Sequence, residues 1–445
     1  MQRRWAAGLL AAVLLSAPGR PARADGARLL LEAPEAAAAR VELVLLARRE
    51  VLASSFIVGD EPFSLTSLAL LRDAARRGLT VRLLVDAQWN KMPPAVEAHL
   101  LAEGVEIRRY HPFTLRHPLW ITRRLHDKLL VTDGEALIAG GRNVESPYFD
   151  LGTQVERRDY IDADLLVRGA AAAEARAYFL DLWESDHVRP SRAGGSSGTG
   201  AREDRVAGAA AVLDRHWAWL EERIARERAG RALGAVMVPA LLPPEPAEVG
   251  PVRVLHDPVG RKGEAPGVGH ALLDLLDGAR QSIVIESPYL VPSRAFRRGL
   301  DRALDRGVRV RILTNSLATT DNLWPQAGYV SERKGLVRRG VELWELTGER
   351  TLHSKAAVID GETVIVGSFN LDPRSEHLNT ELALVARDPA LAAELRAWMD
   401  AHLTGPGASA VRIDRRGWPE GADEPFPGVP CAKVAKLRLL QLLTP

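Results

Sequence analysis

Residues 125–143 read LHDKLLVTDGEALIAGGRN, and 227 residues further on, without a gap, residues 352–370 read LHSKAAVIDGETVIVGSFN. Each stretch carries H-x-K-x4-D, then a glycine followed by a small residue, then an asparagine. The first copy supplies His126, Lys128, Asp133, Gly140, Gly141 and Asn143; the second supplies His353, Lys355, Asp360, Gly367, Ser368 and Asn370. Of the 59 basic residues only seven are lysines, yet both copies place one at the same point. A compact ammonium is therefore wanted there, rather than a planar guanidinium.

Working outward, the likeness continues. LRDAARRGLTVRLLVD (71–86) matches LDRALDRGVRVRILTN (300–315), each reading as a helix that stops near a glycine and gives way to a strand. AEGVEI (102–107) matches RRGVEL (338–343). The predicted fold is α/β: two mostly β-sheet sandwiches flanked by helices, related by a pseudo-twofold axis that passes through one site. The expected boundaries are 25–188 and 251–405 for the two copies, with a linker and connecting helix over 189–250 and a tail over 406–445. Within the linker, SRAGGSSGTG (191–200) is flexible in composition, and residues 205–233 form an amphipathic helix with Leu213, Trp217, Leu220 and Ile224 on one face. Packing on the body is favoured for that helix and for the lysine- and leucine-rich stretch 432–443, with lipid contact the alternative.

Residues 1–24 combine Arg3 and Arg4, an apolar run and Ala22-Arg23-Ala24, the pattern of a cleavable export signal. Removing its four arginines takes the formal net charge from +2 to −2. A near-neutral chain disfavours tight, salt-driven nucleic-acid binding. The single cysteine, Cys431, excludes an internal disulfide framework and multi-cysteine metal centres.

HDKLLV and HSKAAV read as strands, which would turn each histidine and its lysine to one face. Asp133-Gly134 and Asp360-Gly361 fall where tight hairpin turns belong. The two aspartates are therefore turn formers capping backbone amides, or else direct catalytic participants. Brought together, two histidines, two lysines and two asparagines suit in-line displacement at a phosphodiester with no metal or cofactor. One imidazole attacks phosphorus and the other serves as general acid, then base. The lysines and asparagines stabilise the non-bridging oxygens. Asp164 and Glu381, downstream of the two motifs, are read as the carboxylates that orient the histidines. Gly141, Ser368, Ser287, Tyr289, Asn315 and Arg374 are candidates for shaping the substrate pocket, with turn and loop roles as the alternative.

This pattern resembles the phospholipase D superfamily with two motifs in one chain. GGRNVESPYFD (140–150), DADLLVRG (162–169), ESPYLVPS (286–293), LTNSLATTDN (313–322) and GSFNLDPRSEHLNTEL (367–382) resemble its bacterial cardiolipin synthase branch. The resemblance implies a phosphatidyl-enzyme intermediate, no cofactor and a glycerophospholipid substrate such as phosphatidylglycerol or phosphatidylethanolamine. It also implies His126 as nucleophile and His353 as acid/base, although the near symmetry of the copies does not itself distinguish them. The expected function is phosphatidyl transfer to a second lipid's alcohol, with hydrolysis to phosphatidic acid as the alternative and a nuclease or non-catalytic lipid binder behind both. Peripheral contact with the outer face of the inner membrane is expected; oligomeric state stays open.

Overall fold

A computed structural model of the chain describes residues 24–113, 115, 122–150, 159–191, 199–232, 246–259, 267–404 and 409–442. The N-terminal export-type segment and most of the glycine- and serine-rich linker lie outside these residues. Two mixed sheets form the framework. The first has nine strands in the order Ala247–Val249, Asp25–Leu30, Asp164–Arg168, Ala136–Gly140, Leu129–Thr132, Glu50–Ser55, Thr80–Asp86, Glu106–Tyr110 and Val188–Pro190. The second has eight: Arg253–His256, Leu382–Arg387, Thr363–Gly367, Ala356–Ile359, Ser282–Glu286, Arg309–Asn315, Glu342–Leu346 and Ala410–Arg412. In each sheet a parallel trio, joined by helical crossovers, is followed by the antiparallel hairpin that leaves the motif. The crossover helices Pro62–Arg76 and Arg294–Asp305 both give way to a left-handed glycine, Gly78 at φ 88° and Gly307 at φ 79°.

The two halves share one core. Ala172, Ala175 and Phe179 of helix Ala170–Glu184 and Leu391, Leu395 and Met399 of helix Pro389–Ala401 are buried in a single cluster with Leu137, Leu165, Val364 and Leu384. Small alanines on the first helix let the sheets approach closely, so the halves are held at a fixed spacing.

Segments read as connectors are integrated into the body. Val188–Pro190 and Ala247–Val249 close the two edges of the first sheet, which lowers the cost of exposed strand edges. Helix Thr199–Ala232 lies across helices Pro62–Arg76 and Pro94–Ala102, burying Leu213, Leu220 and Ile224. The tail helix Cys431–Gln441 docks on helix Leu323–Arg339 through Leu437, against Leu317 and Ala327. Among the described residues no helix is long and apolar enough to cross a membrane.

Two sequence expectations need correction. The strands begin at Leu129 and Ala356, after the lysines, because the residues just upstream pair with the opposite half instead of their own sheet. Of the two readings of Asp133 and Asp360, the structure gives them the turn-forming contacts and places them away from the histidines. They sit at φ 55° and 54° in hairpin turns, beyond the far end of a four-residue strand, five residues or about 16 Å along the chain from the motif lysines. Asp133 accepts the amides of Arg48, Arg49 and Glu50 at 2.8–3.0 Å, and Asp360 those of Arg280, Gln281 and Ser282 at 2.7–2.9 Å. Partial burial acts to raise both carboxyls, but these amides outweigh it and hold them below the usual range. Each aspartate ties its hairpin to the start of the neighbouring strand.

Leu213 is fully buried in the contact of the connecting helix with the first half. Leu213→Ala should cost about 2–4 kcal/mol, measured as a lower urea midpoint with an unchanged m-value.

Candidate active site

Each motif is held by the opposite half. Ahead of the second motif, Thr351–Leu352 pairs in parallel with Tyr160–Ile161 of the first half, and the His353 amide donates to the Ile161 carbonyl at 2.8 Å. Ahead of the first motif, Leu125 bridges Thr380 of the second half, and the His126 amide donates to the Thr380 hydroxyl at 3.1 Å. These crossed pairings bring the carboxylates into place. His126 Nδ1 lies 2.9 Å from Glu381 Oε2, and His353 Nδ1 lies 2.7 Å from Asp162 Oδ2. All four side chains are buried. An Nδ1–H donated to a carboxylate leaves Nε2 of each ring as the reactive lone pair.

Glu381 is where the sequence reading put it, but Asp164 is not: the partner of His353 is Asp162. Asp164 instead accepts from Arg40 at 2.8 Å and Arg142 at 2.9 Å. Burial works to raise its pKa, and the two guanidiniums more than offset that. Arg142 also donates to the Asp162 carbonyl at 2.6 Å and to the carbonyls of Leu30, Leu31 and Tyr148. Asp164 thus neutralises the arginine that fixes the loop carrying Asp162. The signal for Asp162 was the register: Gly140 pairs with Asp164 as Gly367 pairs with Ala383, so Glu381 corresponds to Asp162.

Gly141 and Ser368 explain each other. A Cβ on Gly141 would stand 2.1 Å from Asp162 Oδ1, so only glycine leaves room for that carboxylate. At the matching point Ser368 donates its hydroxyl to Glu381. Both residues thus meet the carboxylates that hold the histidines.

Lys128 Nζ donates to its own motif's His126 carbonyl at 2.7 Å, and Lys355 likewise to the His353 carbonyl. Burial draws Lys128 down to about 7, reinforced by Lys355, and draws Lys355 down to about 8 against the pull of Asp162 and Glu381. Burial also drives His126 well below its ordinary value, with Lys128, Lys355 and His353 adding to the shift. His353 is lowered to about 4 by burial and Lys355, opposed by Asp162. The two motifs therefore share one electrostatic site. Burial thus favours the neutral form of both imidazoles, and Lys355 adds to the lowering of His126, His353 and Lys128.

The remaining candidates have bracing contacts. Asn315 clamps the second motif's approach, donating to the Leu352 carbonyl at 2.8 Å and accepting the Leu352 amide at 2.9 Å. Ser287 donates to the Tyr289 carbonyl at 2.8 Å and accepts the Leu371 amide. Tyr289 donates to Asp321 at 2.9 Å, as Tyr160 does at 3.1 Å. Arg374 reaches the Thr122 carbonyl at 3.0 Å and adds positive charge near His126. Asn143 donates to the hydroxyl of Tyr148 at 2.9 Å, and that hydroxyl lies 3.3 Å from Nε2 of His353. Tyr148 had gone unremarked inside the flanking stretch 140–150; an aromatic five residues past the motif asparagine, with Ser375 at the matching place, was the available signal.

Comparison with known proteins agrees with this geometry. The family described as "Cardiolipin synthase, PLD-like domain" matches residues 43–183 and again 272–403. Cardiolipin synthase C of Escherichia coli K12 is 33% identical over 394 residues, covering 80% of each chain. Cardiolipin synthase A of Pseudomonas aeruginosa is 25% identical over 388 residues, covering 84% of this chain and 66% of that one. Among solved structures, the phosphatidylserine synthase of Haemophilus influenzae Rd KW20 has the same fold, with a TM-score of 0.65 over 94% of both chains at 16% identity.

Asp162→Asn and Glu381→Gln should each lower kcat by about 10²–10⁴-fold, the usual weight of a correctly held acid–base group, while Asp164→Asn acts mainly on stability. Gly141→Ser should lower kcat as Asp162→Asn does, because its side chain displaces the same carboxylate. Steady-state kinetics alongside thermal melts separate these outcomes.

Proposed function

The chain belongs to the cardiolipin synthase, phospholipase D-like family, and from that premise we propose that it moves a phosphatidyl group from one glycerophospholipid to the alcohol of another. It is an enzyme of the phosphatidyltransferase and phospholipase D type. The observation that carries the reading is the pair of buried imidazole–carboxylate couples, each built across the two halves, around two lysines. In the first step the anionic phosphodiester raises the basicity of the buried His353, whose Nε2 takes up a proton on substrate binding. His126 Nε2 then attacks phosphorus, the bond from phosphorus to the donor's alcohol breaks, and the leaving oxygen takes that proton from His353. In the second step the acceptor's oxygen bonds phosphorus as the P–N bond breaks, and its proton passes to His353 Nε2. Lys128 and Lys355 balance the charge of the five-coordinate phosphorus.

His126 is taken as nucleophile because no hydrogen-bond partner among the described residues holds its Nε2, whereas Tyr148 faces that of His353. The reading of a membrane substrate draws support from exposed indoles beside the cleft. Trp89 packs on Phe56, whose ring meets His126 edge-on, and Trp324 lies three residues past Asp321. Indoles at such positions suit the bilayer interface. The export-type N-terminus supports work on the outer face of the inner membrane.

Purified protein given labelled phosphatidylglycerol, with and without phosphatidylethanolamine, should yield cardiolipin. Phosphatidic acid as main product would establish the hydrolase, and cleavage of single-stranded DNA without lipid turnover would overturn both. His126→Ala and His353→Ala should each abolish turnover with the fold intact by circular dichroism. Tungstate, a phosphate mimic, should inhibit best below about pH 7. Because the lysines must be charged to hold it, its affinity should fall as pH rises through about 7 and 8, where Lys128 and Lys355 lose their protons; inhibition constants across pH 6–9 check this.

A further inference from the structure

The tail helix Cys431–Gln441 carries apolar residues on two faces, and the body covers only one of them. At about 3.6 residues per turn, Val434, Leu437 and Leu440 fall on the inner side, where Leu437 is fully buried against Leu317 and Ala327. The same winding puts Cys431, Ala432, Ala435, Leu439 and Leu442 on the outer side. All five are exposed, Leu439 by 61% and Leu442 by 82%. Arg438 borders this apolar stripe on one edge and Lys436 on the other, and both are exposed. Residues 431–442 hold three cations, Lys433, Lys436 and Arg438, and no carboxylate side chain.

An apolar stripe between two cationic edges is complementary to the surface of an anionic bilayer. Its leucines enter the acyl boundary, and the longer basic side chains extend back to the phosphates. A second copy of the same face would set cations against cations, which disfavours self-pairing. We propose that the outer face of this helix is an interfacial anchor that holds the protein on anionic phospholipid. The helix is also placed to seat the cleft. Lys433 Nζ donates to the carbonyls of Ala318 and Thr320 at 3.4 and 3.5 Å. The next residue of that loop, Asp321, accepts the hydroxyls of Tyr160 and Tyr289 and acts electrostatically on His353. At the other end Gln441 Nε2 lies 3.5 Å from Ser331 Oγ, so the anchor runs alongside helix Leu323–Arg339 from the border of the cleft outward. Eleven residues make a marginal helix in water when alone. Docking through Leu437 keeps it folded beforehand, so contact with lipid carries little ordering cost. The inference rests on the phospholipid reading for its purpose, bringing the cleft to its substrate, while the contact itself needs no turnover.

Cys431, the single cysteine, lies on the outer stripe, so an environment-sensitive fluorophore attached there reports contact in the full chain. With phosphatidylcholine vesicles containing phosphatidic acid, its emission should shift to the blue, and unlabelled protein should sediment with the vesicles. Phosphatidylcholine alone should do neither, and added salt should weaken the contact. Lys436→Gln combined with Arg438→Gln should lower vesicle affinity roughly 25-fold, about fivefold for each cation. Leu439→Ser combined with Leu442→Ser should lower it by about tenfold or more. Both paired variants should turn over monomeric short-chain phosphatidylglycerol at the wild-type rate and lose turnover of phosphatidylglycerol in vesicles. Unchanged vesicle affinity in either variant, or equal binding to phosphatidylcholine alone, overturns the inference. A wild-type oligomer that the leucine substitutions disperse, with no vesicle binding, assigns the face to a second copy and overturns it too. Vesicle binding without turnover of any donor sinks the transferase reading and leaves the anchor standing.

Discussion

Each motif imidazole is oriented by a carboxylate on the other half of the chain, and the rest of the molecule follows from that constraint. His126 depends on Glu381 and Thr380, and His353 on Asp162 and Ile161. Neither half holds a complete histidine–carboxylate couple. The geometry therefore requires a fixed spacing between the sheets, which the shared core of Ala175, Phe179, Leu391 and Leu395 supplies. The paired segments Tyr160–Ile161 and Thr351–Leu352 turn this spacing into hydrogen-bond register.

The same burial that orders the site sets its charge. Burial lowers the pKa of both imidazoles and both lysines, and Lys355 adds to the shift of His126, His353 and Lys128, so an anion beside them would be favoured. Such a site is electrostatically prepared for a phosphodiester before one arrives, so less reorganisation is needed when charge builds up on phosphorus. The supporting ions are kept apart from it. Arg40 and Arg142 are paired with Asp164, and Arg142 also holds the loop that carries Asp162.

Much of this was legible along the chain. The gap-free repeat of His126–Asn143 in His353–Asn370 gave the fold class, the paired site and the key residue types. The turn dipeptides Asp133-Gly134 and Asp360-Gly361 gave the hairpins. Asp164 misled because strand patterning marks a segment but not its register: a shift of two residues keeps the same face. Tyr148 was invisible in function because nothing in its neighbourhood names a partner 205 residues away.

The linear order of residues determined which groups are present, in what local spacing, and that they come in two sets. Only the folded chain decided how the sets combine: Asp162 rather than Asp164, Gly141 as space for a carboxylate, Ser368 as a donor to one, and a phenol on only one of two nearly equivalent histidines. The physical reason is that local propensity acts over a few residues, whereas orientation of a buried imidazole needs hydrogen bonds between segments brought together by packing of the common core.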